Sequence, residues 1–159
     1  MKLKEGESLM GFKFWRGWLI FVFLVSLAVG IVLIFFPDSP VMSLYNKKVA
    51  AAFYATDQVP TQFLAHHTWV MAVLGSAIIG WGITLLFLTI FAFKERNRWA
   101  WNCMAIAVPI WVIIDSLASI KAGVYMEFIF NLVFLVAVLI PLIKTYGYFY
   151  RKRDTPIEE

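Results

Sequence analysis

The sequence predicts an all-α membrane protein: an antiparallel four-helix transmembrane bundle with a short amphipathic helix in its first outer loop. Three observations carry that prediction. Long apolar stretches occupy 17–37, 68–93, 99–120 and 128–143, separated by basic or polar breaks. Three of them reach the ~20 residues that cross a ~30 Å hydrocarbon core, and the last does so with its flanks, as a helix over 126–146. Charged residues are only 15% of the chain. Soluble domains carry about 25%, so there is too little polar surface to coat a water-soluble fold.

The first stretch follows Lys2, Lys4, Lys13 and Arg16, as a signal peptide would. Its uncharged run is longer than the roughly 7–15 residues of a signal core, and no A-x-A-like site follows. It ends in Phe35-Phe36-Pro37-Asp38 and reads as a retained first helix. The outer loop, 38–67, is the longest extramembrane piece. In it Ser39-Pro40 pairs an N-cap with proline at the first helical position. Val41, Leu44, Tyr45, Lys48, Ala52 and Ala55 then recur at helical spacing, predicting an amphipathic helix that lies on the outer interface or folds over the bundle mouth. The connections 94–98 and 121–126 are short, which makes each flanking pair of spans antiparallel neighbours. All 159 residues form a single transmembrane domain.

Charge orients the bundle. Eleven of the fourteen lysines and arginines fall on the side of the two termini and the 94–98 hairpin; only Lys47, Lys48 and Lys121 fall opposite. The positive-inside rule then places both termini in the cytoplasm, with the anionic cytoplasmic leaflet as the partner of the basic ends and no role for nucleic acid. Trp15, Trp18, Trp99, Trp101, Tyr146, Tyr148 and Tyr150 mark the inner interface, and Trp69, Tyr45 and Tyr125 the outer. The terminal segments 1–13 and 154–159 are polar and expected to be mobile.

Inside the spans one formal charge stands out, Asp115, about 9 Å below the outer end of its helix. An intramembrane carboxylate costs ~2.5–3.5 kcal/mol on insertion scales and so turns inward to a partner. Asn131 lies at a similar depth, Ser119 one turn outward and Ser76 slightly deeper, which suggests an outer-half polar layer. That layer is either a hydrogen-bonded clasp or a ligand or proton site. Trp81 and Trp111 sit near mid-membrane, forming either an aromatic core or the walls of an apolar pocket whose polar end is Asp115. Pro109 frees the Ala105 carbonyl as an acceptor for one of their indoles. His66 and His67 open the second span. The functional alternative to inert interfacial histidines is a gate in which His67 pairs with Asp115 or Glu127. Ala72, Ser76, Gly80 and Thr84 form a small-residue row at i, i+4 spacing, with Gly75 and Gly82 alongside, and Ser26 and Gly30 of the first span as candidate mates. Such a row serves helix packing, within the bundle or between copies.

No catalytic constellation, cofactor motif or metal-ligand spacing is recognisable. Cys103, the one cysteine, excludes an intramolecular disulfide and reads as an apolar filler. Gly80-Trp81-Gly82, then Glu95-Arg96-x-Arg98-Trp99-Ala100-Trp101-Asn102, then Trp111-x-x-x-Asp115 resembles a group of small bacterial four-span membrane proteins with no assigned activity. The resemblance covers about two-thirds of the chain and implies the topology and a bacterial inner-membrane setting. The expected role is a non-enzymatic subunit or accessory protein, with a homo-oligomer or another membrane protein as partner. The alternatives are a binder or carrier of a lipid or apolar small molecule near Asp115, and a membrane enzyme using Asp115 or His67 as acid or base.

Overall fold

The computed structural model describes residues 2–150, with side chains from Met10 onward except that of Val41. The basic residues at 151–153 and the tail expected to be mobile, 154–159, lie outside the described residues. The chain forms α1 (Lys2–Phe35), α2 (Pro40–Tyr54), α3 (Thr61–Phe87), α4 (Arg98–Lys121) and α5 (Tyr125–Tyr150). One π-helical turn, Leu88–Ala92, prolongs α3. The segments Met10–Phe35, Thr61–Ala92, Arg98–Lys121 and Tyr125–Tyr150 are long and apolar enough to span a membrane.

Boundaries follow local chemistry. α1 begins at Lys2 rather than near Gly17, so the N-terminal segment expected to be mobile is helical as far as it is described. Pro37 ends α1, and the Ser39 N–H donates to the Phe36 carbonyl at 3.1 Å to turn the chain into α2. Ser39 and Pro40 take the predicted N-cap and first-turn positions. Ala55, at φ 55°, closes α2 in the left-handed region. α3 starts at Thr61, earlier than the predicted 68, with Pro60 at its N-cap. α4 ends in a Schellman turn: Gly123, at φ 77°, donates to the Ile120 carbonyl at 3.1 Å and Val124 to that of Ser119 at 2.9 Å.

The helices order around the bundle as α3, α1, α5, α4. Close backbone packing joins α1 to α3, α4 to α5 and α1 to α5. α3 and α4 are antiparallel neighbours around the bundle, as expected, but pack more loosely than the other pairs. Their backbones approach at the π turn, and two indoles, Trp81 and Trp111, meet edge-to-face between the helices at 4.8 Å.

α1 and α3 come close because glycines face each other. A Cβ added to Gly75 would stand 2.6 Å from the Gly30 carbonyl oxygen, and one added to Gly30 would stand 2.8 Å from that of Gly75. Gly82 receives Leu27 in the same seam. The predicted mate Gly30 is therefore used, whereas the predicted row takes no part in packing within the bundle. Ser76, Gly80 and Thr84 are exposed, and a Cβ on Gly80 would meet nothing within 4 Å.

The main core (Leu19, Phe23, Leu85, Phe93, Met104, Val108, Val138, Leu142 and Phe149 among others) fills the half of the bundle that holds the termini. At that end Arg96, in the left-handed region at φ 55°, lays its guanidinium over Phe12 at 5.2 Å and Tyr148 at 5.7 Å. A smaller cluster packs Met42 of α2 against Leu33 of α1 and Met71 of α3. The perimeter is apolar, with Ile106, Ile110, Ile113, Ile114 and Leu117 all exposed on α4. Cys103, expected as a filler, is also exposed.

Proline-freed carbonyls are answered, though not at the predicted place. Pro141 leaves the Ala137 carbonyl without its helical donor, and the indole N–H of Trp18 donates to it from α1 at 3.0 Å. Pro109 and the Trp81–Trp111 pair form no such bond, since those rings are turned onto each other and Trp111 onto Phe134 at 5.9 Å.

Candidate functional site: the polar layer beneath α2

α4 and α5 are joined by a polar clasp in the half of the bundle away from the termini. The Asn131 side-chain amide, on a buried residue of α5, donates to Oδ2 of Asp115 at 2.6 Å and to Oγ of Ser116 at 3.3 Å. Asp115 is half-buried and Ser116 buried. Burial strengthens a hydrogen bond of this length and raises the cost of leaving either group unpaired.

α2 closes over this layer. Met42, Val49 and Ala50 are buried, while Leu44, Lys47, Lys48 and Phe53 face outward. α2 thus acts as a cap over the bundle mouth, the second of the two placements its amphipathic pattern allowed. Tyr45 is half-buried beside Glu127 of α5, one helical turn from Asn131, and the two side chains interact electrostatically. The charge of Asp115 reaches both Tyr45 and Glu127. Burial, and after it the negative charge of Glu127, push the Tyr45 phenol well above its ordinary value of 10.0.

A second tie holds α2 to α3. The Asn46 amide donates to the Pro37 carbonyl at 2.7 Å, which leaves its Oδ1 as acceptor for Nε2 of the buried His67 at 3.3 Å. That orientation assigns the proton to Nε2 of His67. His67 is thus engaged by Asn46 and not by Asp115 or Glu127, while His66 stays exposed against Trp69.

Of the sequence-predicted site residues, the structure joins Asp115 and Asn131 directly. Ser119 is half-buried one turn away, with its carbonyl used in the Schellman turn. Ser76 lies on the exposed face of α3, its hydroxyl bonded to the Val73 carbonyl at 2.8 Å, and belongs to no polar layer. Trp81 and Trp111 form a half-buried pair deeper in the bundle. Tyr45 and Ser116 are members that the sequence pattern does not mark, and Glu127 lies beside Tyr45. The i, i+4 spacing of Glu127 and Asn131 was a legible signal for one shared face. Among the described residues, no group of three or more His, Cys, Asp or Glu gathers as a metal site would require.

Removing the Tyr45 hydroxyl tests the cap. Tyr45→Phe is expected to weaken the docking of α2 by about 1 kcal/mol, seen as ~5-fold faster hydrogen exchange in α2. The docked phenol holds its proton where an undocked one ionises, so docking is full below the ordinary value of 10.0 and weakens above it. Thermal stability in detergent, followed over roughly pH 8–11, should show an alkaline fall that is smaller in Tyr45→Phe than in the native chain.

Four membrane-length helices with an apolar perimeter and inward-turned polar groups make this an integral membrane protein of the all-α bundle class. No protein-family model matches the chain, and no curated protein or solved structure matches it.

Proposed function

We propose that the protein works as a non-enzymatic membrane subunit that associates through the outward face of α3 with a second copy or another membrane protein. The observation that carries this reading is the exposed row Ser76, Gly80 and Thr84 beside the half-buried Ala72. Small side chains let a partner backbone approach closely, where lipid supplies no hydrophobic force to draw helices together. The two hydroxyls already donate within α3, to the carbonyls of Val73 at 2.8 Å and Gly80 at 3.0 Å, so the face can enter an apolar contact without unmet donors. The charge asymmetry and the bacterial resemblance support a plasma-membrane setting with both termini in the cytoplasm.

Gly80→Leu is the test. Its side chain would project into open space, so the monomer fold should be unaffected. Chemical cross-linking in membranes and native mass spectrometry should show an oligomer or complex in the native chain and about tenfold less in the variant. Equal association in both would remove the reading.

The second reading is a ligand or proton site in the outer half. It is favoured by the convergence of Asp115, Glu127, Tyr45 and Asn131 beneath a cap that is tied at two points. Asp115→Asn, which keeps the size of the group and removes its charge, would abolish binding of an apolar amine or lipid there while leaving association through α3 intact. The acid–base reading draws no support from the geometry, because His67 and Asp115 are held by different partners.

A further inference from the structure

We propose that a groove between α1 and α5, at the end of the bundle that holds the termini, seats an acyl chain of an anionic phospholipid whose headgroup meets Lys144. This binding site lies apart from both the α3 face and the outer polar layer. The groove has a volume of about 230 Å³ and is lined by Phe14, Trp15 and Trp18 of α1 and by Ala137 and Ile140 of α5.

One wall of the groove is held by hydrogen bonding. The Trp18 indole is held by its bond to the proline-freed Ala137 carbonyl, and Phe14 packs edge-to-face on Trp15 at 5.0 Å. The Trp18 ring therefore cannot fold inward to fill the groove without giving up that bond. The lining is apolar, and Phe14, Trp18 and Ile140 are exposed on the membrane-facing perimeter. A chain-like apolar occupant supplied by the bilayer fits such a slot.

The headgroup assignment rests on the next two turns of α5. Ala137, Ile140, Lys144 and Gly147 are spaced three, four and three residues apart, which aligns them on one helix face. Lys144 lies seven residues beyond Ala137, about 10 Å along the axis, toward the membrane surface. It is exposed, and the space over Gly147 is open to 4 Å. A cation at the mouth of an apolar groove complements a lipid phosphate of net negative charge, and gives less to a zwitterionic headgroup. The same end of the chain carries most of its lysines and arginines, so an anionic leaflet is concentrated there.

The full chain, purified in mild detergent, would be offered phosphatidylglycerol or phosphatidylethanolamine with identical tails and examined by native mass spectrometry. The native protein should retain the anionic lipid about fivefold better, the size expected for one surface lysine. Lys144→Gln, an exposed substitution that leaves the core untouched, should abolish that preference while keeping tail-driven retention of both lipids. Ala137→Leu, which fills the groove, should reduce both. Lys121→Gln, at the opposite end of the bundle, should behave as the native chain. Equal retention of the two lipids by the native protein, an unchanged preference in Lys144→Gln, or a lipid-free dimer lost in Ala137→Leu would each overturn the proposal.

Discussion

Gly75→Ala should lower the stability of the bundle by about 3 kcal/mol, the upper part of the range for overpacked sites. The added Cβ would lie 2.6 Å from the Gly30 carbonyl oxygen, 2.8 Å from Ile34 Cγ1 and 3.1 Å from Leu33 Cβ. Ordinary carbon–oxygen contacts run at about 3.3–3.6 Å, so α1 and α3 would have to separate along the seam where the glycines meet. Backbone cannot rotate away as a side-chain tip can. Gly82→Ala should be milder, because the atom it meets most closely is Leu27 Cδ2, at the end of a flexible side chain. Gly80→Ala should leave stability unchanged or raise it by up to ~1 kcal/mol, the ordinary helix-propensity gain over glycine. Unfolding of the three variants in mixed micelles by SDS titration ranks them. If Gly75→Ala were as stable as Gly80→Ala, the α1–α3 seam would be misassigned.

The same seam marks a limit of what is legible in the sequence. α3 carries small residues on two adjacent faces, Gly75 and Gly82 on one, Ser76, Gly80 and Thr84 on the other. Both satisfy the spacing rule for close packing. What separates them is where Gly30 of α1 arrives, and this depends on helix register across the bundle rather than on α3 itself. The prolines meet the same limit. That a proline frees a carbonyl four residues earlier follows from its chemistry alone, and it holds at Pro141. Which indole is level with that carbonyl is a matter of how α1 and α5 slide past each other, and Trp18 meets Ala137 where Trp81 and Trp111 meet each other. The spans were legible because length and hydropathy are local properties. The start of α2 was legible because Ser39-Pro40 is a local signal. Its fold-back was not: the placing of Tyr45 beside Glu127 joins residues more than eighty positions apart. Asp115 and Asn131 were legible as a pair because intramembrane polar groups are few and their depths can be counted along each helix.

Asn131→Leu should cost about 2 kcal/mol of stability, because it leaves the half-buried Asp115 carboxylate without its closest donor and Ser116 without its amide partner. The loss would come from the group left behind more than from the bond itself. Replacing both partners, as Asp115→Leu with Asn131→Leu, should therefore recover most of it, since two apolar side chains at a helix contact owe nothing to solvation. A double-mutant cycle on unfolding free energies measures the coupling directly, and a value near 1 kcal/mol, within the range for hydrogen bonds between membrane helices, is expected. The cycle also bears on function. A clasp that only binds α4 to α5 can be exchanged for apolar packing with association through α3 intact. A site that holds a proton or ligand cannot, because the apolar pair restores stability and removes the chemistry. A double variant that is stable, folded and fully associating identifies the clasp as structural; one that is stable but has lost a ligand-dependent response places function at Asp115.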